Sequence, residues 1–267
     1  MSNAQMNDKP VAVVTGGARG IGEAAVRKFA ALGYRVAALD VNKDRGLALE
    51  REFGPDRMRF FECDVSDAGA VEALADRCHQ DLGPADFLVA AAGLIPNTES
   101  VMEMDLVAHE RMWKVNYNGT LHACRSFGRQ MIAKGGGAMV TLGSINSLMA
   151  LPLPAYNPGK AAIMRLTELL AAELGRHRIR VNSVAPTYVM TPELQARIDS
   201  GQRDLAKMMS VHTLGRLPTP GDVAEVIAFL CSPAASCITG VLLPVDSGWS
   251  VGVSYMSYAG GVPWRDA

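Results

Sequence analysis

Tyr156 and Lys160 stand four residues apart, a separation that places two side chains on one face of a helix, about 6 Å apart along its axis. A tyrosine hydroxyl ordinarily has a pKa of about 10, too high for a proton acceptor at neutral pH, and a neighbouring ammonium group lowers that pKa. Ser144, at the end of an apolar run, could hydrogen-bond the same substrate oxygen. Tyr–Lys pairs at this spacing also occur on solvated helices. Together with the serine, the pair predicts proton transfer to and from an oxygen.

A glycine-rich turn near the N-terminus predicts a binding site for a dinucleotide. Gly16, Gly20 and Gly22 belong to the run TGGARGIG, between an apolar run of strand length and a helix-length segment. Glycines let the backbone approach a pyrophosphate closely, and the start of a helix supplies free N–H groups and the positive end of its dipole. The pattern alone is also typical of an ordinary β-α turn. Its position after the first strand favours the dinucleotide.

An acidic residue at the end of the second strand indicates which dinucleotide binds. A carboxylate at Asp40 could accept hydrogen bonds from both adenosine ribose hydroxyls and would repel the 2′-phosphate of NADP. Val41 offers no cation for that phosphate, whereas Arg19 in the glycine loop could reach it. We therefore predict NAD as the cofactor, with NADP as the alternative. Asp64, followed by Val65, is either a helix cap or a partner for the adenine amino group.

Apolar runs of strand length alternate with helix-length segments of 3.6-residue periodicity, so these residues sit on repeated β-α-β units. The strands are continuously apolar, which indicates a parallel sheet covered on both faces. The sequence predicts an α/β fold, a single Rossmann-type doubly wound domain with a seven-stranded parallel sheet flanked by helices. The predicted strands are Val11–Val14, Arg35–Leu39, Met58–Phe61, Phe87–Ala90, Ala138–Leu142, Ile179–Val184 and Val241–Val245. The clearest helices are Gly20–Leu32, Ala68–Leu82, Ala161–Leu174 and Asp222–Leu230.

The chain has no linker long enough to separate two domains. We predict one domain over residues 9–248, which includes a substrate loop over 187–214, after a flexible N-terminus over 1–8 that is partly an expression scar. Residues 249–267 form a C-terminal tail that holds two of the three tryptophans and has no charge before Arg265. Because exposed apolar side chains promote aggregation, we expect this tail to be buried.

Composition narrows the classes of partner. The chain has 26 Lys and Arg against 27 Asp and Glu, so it offers no electrostatic reason to bind nucleic acid or an anionic membrane. The longest uncharged apolar run, Phe87 to Ile95, is far shorter than the roughly 20 residues of a membrane helix. Five cysteines without CxxC spacing predict buried, reduced thiols in a cytoplasmic protein. No His/Cys spacing indicates a metal site.

With these motifs together, the sequence resembles the short-chain dehydrogenase/reductase family in its compact cytosolic form. The resemblance extends from about Lys9 to Gly248. It rests on TGGARGIG at 15–22, Asp40, Asp64-Val65, VNYNG at 115–119, GS at 143–144, YNPGK at 156–160, RVNSVAP at 180–186 and the VDSG ending.

The resemblance implies roles for individual residues and a homotetramer, in which Trp249–Trp264 of the tail would pack across a subunit interface and help to close the substrate pocket. Tyr156 would donate and accept the proton, Ser144 would polarise the substrate oxygen, and Lys160 would hold the nicotinamide ribose. Asn116 would position a water in the proton relay. The cofactor would be bound by Gly16, Arg19, Gly20, Ile21, Gly22, Asp40, Asp64, Val65, Ala91, Gly93, Tyr156, Lys160, Val189 and Thr191. The substrate would contact Ser144, Asn146, Tyr156 and Thr187, with Asn97, Asn157, His109 and His212 as further polar candidates.

The chain also departs from the family pattern. The usual Asn-Asn-Ala-Gly after the fourth strand is Ala90 to Gly93 here, so two amides that help to hold the cofactor loop are missing. Thr187 and Ser247 replace frequent glycines. These departures bear on cofactor affinity and loop rigidity, but none of them falls on the four reactive positions.

The expected function is an NAD-dependent oxidoreductase that interconverts a secondary alcohol and a ketone by hydride transfer. A sugar or polyol is the first candidate substrate, because the C-terminal motif resembles sugar-type dehydrogenases of the family. The alternatives are a 3-oxoacyl thioester or a hydrophobic ketone. A non-catalytic dinucleotide-binding sensor is a hypothesis of another class, which the retention of all four reactive residues disfavours.

Overall fold

A computed structural model describes residues 9–95, 98–262 and 264. Residues 1–8 and Asn97, named above as the N-terminus and a pocket candidate, lie outside the described residues. The strands are β1 (Val11–Thr15), β2 (Arg35–Asp40), β3 (Met58–Glu62), β4 (Phe87–Ala90), β5 (Gly137–Leu142), β6 (Ile179–Pro186) and β7 (Leu242–Val245). The helices are α1 (Gly20–Ala31), α2 (Lys43–Phe53), α3 (Ala68–Leu82), α4 (Leu106–Trp113), α5 (Gly119–Lys134), α6 (Tyr156–Leu174), α7 (Pro192–Asp199), α8 (Leu205–Met209), α9 (Pro220–Cys231) and α10 (Trp249–Met256).

The seven strands form one parallel sheet in the order β3-β2-β1-β4-β5-β6-β7. Its two faces carry separate apolar clusters, one around Phe127 and Met131 and the other around Phe29 and Ile227. The predicted doubly wound α/β fold is therefore confirmed. Because the strand order reverses between β1 and β4, a crevice opens at their carboxyl ends, where ligands bind in open α/β sheets.

Local sequence sets most helix ends. Asn42 and Asp67 cap α2 and α3 by accepting N–H groups of the first turn. Thr219 and Asp222 form a capping box that starts α9 two residues before its predicted apolar stretch. The chain between β4 and β5, for which no element was predicted, holds α4 and α5 joined by a π-helical segment, Lys114–Asn118.

The C-terminal tail is helical over Trp249–Met256, and its described residues are only partly buried. Asp246 accepts the N–H groups of Gly248 at 2.9 Å and Ser250 at 2.8 Å, which caps α10. Trp249 is 5% exposed, but Tyr255 and Trp264 are 48% and 52% exposed. Among the described aromatic residues of the tail, Trp249 is buried within the chain and Tyr255, Tyr258 and Trp264 are exposed, because one face of α10 packs on its own subunit.

Two further expectations concern the cysteines and membrane-spanning helices. Four cysteines are buried and free, but Cys237 is exposed, so the expectation of buried thiols is wrong there. Cys237 follows the 3₁₀ turn Pro233–Ala235 in a connection whose Pro233, Ala234 and Ser236 are exposed as well. Across the described ranges, no helix is long and apolar enough to span a membrane.

Candidate active site

The glycine loop closes on itself in a way that no larger side chain permits. Gly16 has φ +66° and Gly20 has φ +54°, both in the left-handed region that favours glycine. A Cβ at Gly22 would lie 2.0 Å from the carbonyl oxygen of Gly16. Arg19 precedes α1 without a side-chain cap, so the first N–H groups of this helix are left for a ligand. An uncapped helix start beside close-packed glycines fits a dinucleotide pyrophosphate.

Asp40 lies at the carboxyl end of β2 and reaches this loop. Its carboxylate accepts the N–H of Ala18 at 3.0 Å and that of Asn42 at 2.9 Å. Since a carboxylate has about four acceptor positions, two remain for ribose hydroxyls. Arg19, which could reach the 2′-phosphate if NADP were the cofactor, is exposed.

Arg45 is a residue of this region that the sequence reasoning missed. Its Nε donates to the carbonyl of Ala18 at 2.9 Å and its Nη2 pairs with Glu23 at 2.7 Å. Both backbone polar groups of Ala18 are therefore hydrogen-bonded, the N–H to Asp40 and the carbonyl to Arg45. The available signal was a basic residue in the first turn of the helix that follows Asp40.

Asp64 is not a helix cap, because α3 is capped by Asp67. It accepts the N–H of Ser66 at 3.0 Å, the Ser66 hydroxyl at 2.7 Å and Arg111 Nη2 at 2.9 Å. Partial burial raises the pKa of Asp64, but the hydrogen bonds from Ser66 and Arg111 outweigh this and leave the pKa below its usual range. Val65 is buried against Gly119, where a Cβ would lie 2.5 Å from Val65 Cγ2.

Two side chains hold the loop after β4, where the family's amides are missing. The Thr15 hydroxyl accepts the N–H of Ala92 at 3.2 Å. Asn116, in the π-helical segment, accepts the N–H of Leu94 at 2.7 Å and donates to its carbonyl at 3.1 Å. The Asn116 amide therefore positions the cofactor loop; its implied contact with a water stays a prediction. Ala91 is half-buried and Gly93 is exposed beside Asn116.

The loop after β6 lies against the glycine loop. Thr191 caps α7 through the N–H of Leu194, and its Cγ2 would lie 3.6 Å from a Cβ at Gly20. Val189 is buried, and Ile21 packs on the adjacent apolar cluster. Thr187 has a buried hydroxyl without a hydrogen-bond partner among the described residues.

Ser144, Tyr156 and Lys160 meet at the carboxyl end of β5. The side chains of Ser144 and Lys160 are buried, and Tyr156 is half-buried. Lys160 Nζ donates to the carbonyl of Leu142 at 2.6 Å and lies 5.2 Å from the centre of the Tyr156 ring. The structure thus brings together the three residues that spacing alone selected.

The electrostatics of this cluster differ from the expectation. Burial raises the pKa of Tyr156 to about 12, opposed by the neighbouring Ser144 hydroxyl. Burial lowers the pKa of Lys160 to about 8. The expectation that Lys160 lowers the Tyr156 pKa is therefore wrong for the chain by itself, because desolvation disfavours both charges. At neutral pH the phenol keeps its proton, which suits donation to a carbonyl oxygen.

Two histidines were possible ligands or surface residues. His212 is buried, 3% exposed, and its Nδ1 lies 2.7 Å from the carbonyl oxygen of Met208. The interpretation of His212 as a surface residue is wrong, because it is enclosed after α8. His109 is half-buried, with its ring 6.1 Å from that of Trp113.

No cluster of His, Cys, Asp or Glu in the described part of the chain could hold a metal ion.

Known proteins match this chain over nearly its whole length. A family profile described as enoyl-(acyl carrier protein) reductase matches residues 16–250. D-threitol dehydrogenase of Mycolicibacterium smegmatis is 37% identical, over 91% of this chain and 94% of the relative. Galactitol 2-dehydrogenase of Rhizobium johnstonii is 36% identical, over 90% of this chain and 94% of that relative. A short-chain type dehydrogenase/reductase from Mycobacterium ulcerans has a TM-score of 0.85 at 29% identity, covering 91% of this chain and 90% of that one. The chain belongs to the short-chain dehydrogenase/reductase family.

As a short-chain dehydrogenase/reductase, the protein is an oxidoreductase that acts on hydroxyl groups with a nicotinamide dinucleotide. In this short-chain dehydrogenase/reductase, the glycine loop, Asp40 and the Ser144 cluster share one edge of the sheet, because each follows the carboxyl end of a parallel strand.

Proposed function

We propose that the protein is an NAD-dependent dehydrogenase that interconverts a secondary alcohol of a polyol or sugar and the corresponding ketone. The observation that carries this proposal is the cluster of the buried Ser144 and Lys160 with the half-buried Tyr156, in which Lys160 Nζ lies 5.2 Å from the centre of the Tyr156 ring, at the same sheet edge as the glycine loop. The choice of polyol is supported by the names of the threitol and galactitol dehydrogenases that this chain is similar to.

In this proposal the chain's residues move a proton and hold the reactants. A bound nicotinamide supplies or accepts the hydride. During ketone reduction, Tyr156 Oη gives its proton to the carbonyl oxygen, and during alcohol oxidation it takes that proton back. The Ser144 hydroxyl donates a hydrogen bond to the same oxygen. Lys160, whose Nζ donates to the Leu142 carbonyl, would hold the ribose next to the nicotinamide.

The cofactor contacts follow the sheet edge. The N–H groups at Gly20, Ile21 and Gly22 would receive the pyrophosphate, with Gly16 leaving room and Arg19 at the rim. Asp40 would bind the adenosine ribose, and Asp64 with Val65 the adenine. The remaining contacts would come from Ala91, Gly93, Val189 and Thr191.

We expect NADH to bind at least about tenfold more tightly than NADPH, because Asp40 faces the place where NADP carries a phosphate; tenfold corresponds to about 1.4 kcal/mol. Asp40→Ala should narrow this ratio, with Arg19 and Arg45 then available to the phosphate. Fluorescence titration of both reduced cofactors measures it. Asp67→Ala, which removes an acid that only caps α3, is the matched control. Equal affinities in the unmodified protein would exclude NAD specificity.

The substrate is tested by a spectrophotometric screen. Purified protein with NAD or NADP is assayed against polyols, aldoses, hydroxy acids and steroids, and in the reverse direction against 3-oxoacyl thioesters. Turnover of a polyol or sugar with NAD supports the proposal. Turnover confined to an acyl thioester or a hydrophobic ketone would replace it with one of the alternatives.

The C-terminal segment is proposed to support the substrate loop and to lie at a subunit contact in a cytoplasmic homotetramer. The carbonyl of Ser247 accepts the N–H of Leu214 at 3.1 Å and the Thr213 hydroxyl at 3.2 Å. A Cβ at Gly252 would lie 2.2 Å from the carbonyl oxygen of Val211. Helix α10 therefore packs directly on the end of the loop over 187–214.

Truncation after Ser247 should raise KM for the substrate more than KM for NAD, because the loop loses the helix it packs on. It should also weaken tetramers in analytical ultracentrifugation. Truncation after Tyr258, which keeps α10, should leave the substrate KM closer to that of the full chain. An unchanged substrate KM in a fully tetrameric truncated protein would show that the tail has neither role.

A further inference from the structure

Ser144 is surrounded by an amide network that the reaction described above does not use. Asn146, 7% exposed, lies in the 3₁₀ turn Ile145–Ser147 that follows Ser144. Its backbone N–H and its side-chain Nδ2 both donate to Ser144 Oγ, at 3.2 and 3.1 Å. Its Oδ1 accepts from Asn157 Nδ2 at 3.1 Å. The side chain that was expected to contact substrate is thus occupied by two protein partners.

The two donors restrict where the Ser144 proton can point. A hydroxyl has one proton and two acceptor lone pairs, and Asn146 takes both lone pairs. The proton must therefore be directed away from Asn146. It then points to the carbonyl of Pro186, at 3.5 Å and so at the outer limit of a hydrogen bond.

The orientation of the Asn146 amide is itself determined by a carbonyl. Asn157 Nδ2 donates to the carbonyl of Met149 at 2.6 Å, and a carbonyl can only accept. The Asn157 NH₂ group therefore faces Met149 and Asn146 together. Asn146 must present its oxygen to Asn157, which leaves its NH₂ group for Ser144.

We propose that Asn146 and Asn157 are positioning residues that hold the Ser144 hydroxyl as a hydrogen-bond donor toward the substrate oxygen. This inference rests on the proposed function, in which Ser144 acts on that oxygen. A donor whose direction is set before the substrate binds needs no reorientation as negative charge develops on the oxygen.

The test compares Asn146→Asp with Asn146→Ala. Aspartate has the shape of asparagine, but its carboxylate can only accept, so the Ser144 proton would turn toward it. We expect kcat of Asn146→Asp to fall about 100-fold, the scale of losing one donor to a developing oxyanion. Asn146→Ala keeps the backbone N–H, and its kcat should fall by less than about tenfold. A packing role predicts the reverse order, because alanine leaves a cavity and aspartate does not.

A charge effect on Tyr156 is separated by adding Ser144→Ala. If Asn146→Asp acts through Ser144, the double variant has the same kcat as Ser144→Ala alone and the same pH profile for oxidation. If the carboxylate acts on Tyr156 directly, the double variant is slower than Ser144→Ala and its profile moves to higher pH, which overturns the inference. The Kd for NADH should stay within about twofold in every variant, which also reports folding.

Asn157→Ala gives an independent readout should the aspartate variant not fold. Without Asn157 the Asn146 amide can turn over, so kcat should fall several-fold while KM for substrate changes little. An unchanged kcat in Asn157→Ala overturns the inference. The inference is also overturned if kcat of Asn146→Asp equals or exceeds kcat of Asn146→Ala. The proposed function fails by a different result, namely full activity of Tyr156→Phe or no turnover of any alcohol or ketone by the unmodified protein.

Discussion

Replacing Tyr156 by Phe should lower kcat by about 10²- to 10⁴-fold, the range for loss of a positioned acid–base group, while Kd for NADH stays nearly unchanged. Phenylalanine keeps the ring beside Lys160 but removes the only hydroxyl that the proposal uses to carry the proton. Steady-state kinetics in both directions and a fluorescence titration of NADH measure the two quantities.

Tyr34→Phe is the matched control for that experiment. Tyr34 precedes β2, at the edge of the sheet opposite the site, and stacks on Phe29 at 5.7 Å and Phe87 at 5.4 Å. It loses a hydroxyl of the same kind far from the reaction, so its kcat should equal that of the unmodified protein. If Tyr156→Phe retained most of the activity, the assignment of proton transfer would be wrong.

The pH dependence of the unmodified protein follows from the raised pKa of Tyr156, about 12 in the chain by itself. Reduction needs the protonated phenol, which is present throughout the neutral range, so its rate should be nearly flat around pH ~7. Oxidation needs the deprotonated form, so its rate should rise steadily from about pH 7 to about pH 10. The rise should be absent from the residual activity of Tyr156→Phe.

Lys160→Met should stabilise the protein and inactivate it. Lys160 is 6% exposed, and burial lowers its pKa from 10.5 to about 8. At about 1.4 kcal/mol per pKa unit, keeping this charge in the native state costs about 3 kcal/mol at neutral pH. Methionine fills a similar volume without a charge, but it removes the donor to the Leu142 carbonyl, which offsets part of the gain. The free energy of unfolding without cofactor should therefore increase by up to ~3 kcal/mol at about pH 7.

The sign of the pH effect makes this prediction specific. The unfolded chain keeps the Lys160 proton to a higher pH than the native chain, so the cost is complete below about pH 8 and decreases as the pH rises toward 10.5. The stability difference between Lys160→Met and the unmodified protein should shrink over that interval in urea unfolding. A difference that does not change with pH would contradict the assigned cause.

Lys43→Met provides the control for stability, because that lysine side chain is 63% exposed and pairs with Glu62 on the surface. Such pairs contribute about 0–1 kcal/mol, so its unfolding free energy should barely change. For activity, Tyr156→Phe and Lys160→Met should not be additive, since the two side chains act on one proton transfer.

The sequence by itself determined the seven strands and selected the candidate reactive residues, but it did not predict α4 and α5. Continuous apolar runs predicted seven strands within a residue or two of their ends, because burial on both faces of a parallel sheet leaves a local pattern. The spacing of Tyr156 and Lys160 placed them on one helix face because helical geometry depends only on the local backbone. The glycine loop was recognisable because its close backbone contacts exclude any side chain, as at Gly22, where a Cβ would collide with the carbonyl oxygen of Gly16.

Only the tertiary structure decided the partners and the electrostatics. Asp64 is hydrogen-bonded to Arg111, 47 residues away, and Asn116 to Leu94, 22 residues away. Neither contact can be predicted from the local sequence pattern. The raised pKa of Tyr156 and the lowered pKa of Lys160 have one cause, burial beneath the strand ends, which adjacency in sequence does not reveal. Periodicity is a property of a segment, whereas desolvation and hydrogen-bond partners depend on which segments the sheet order brings together.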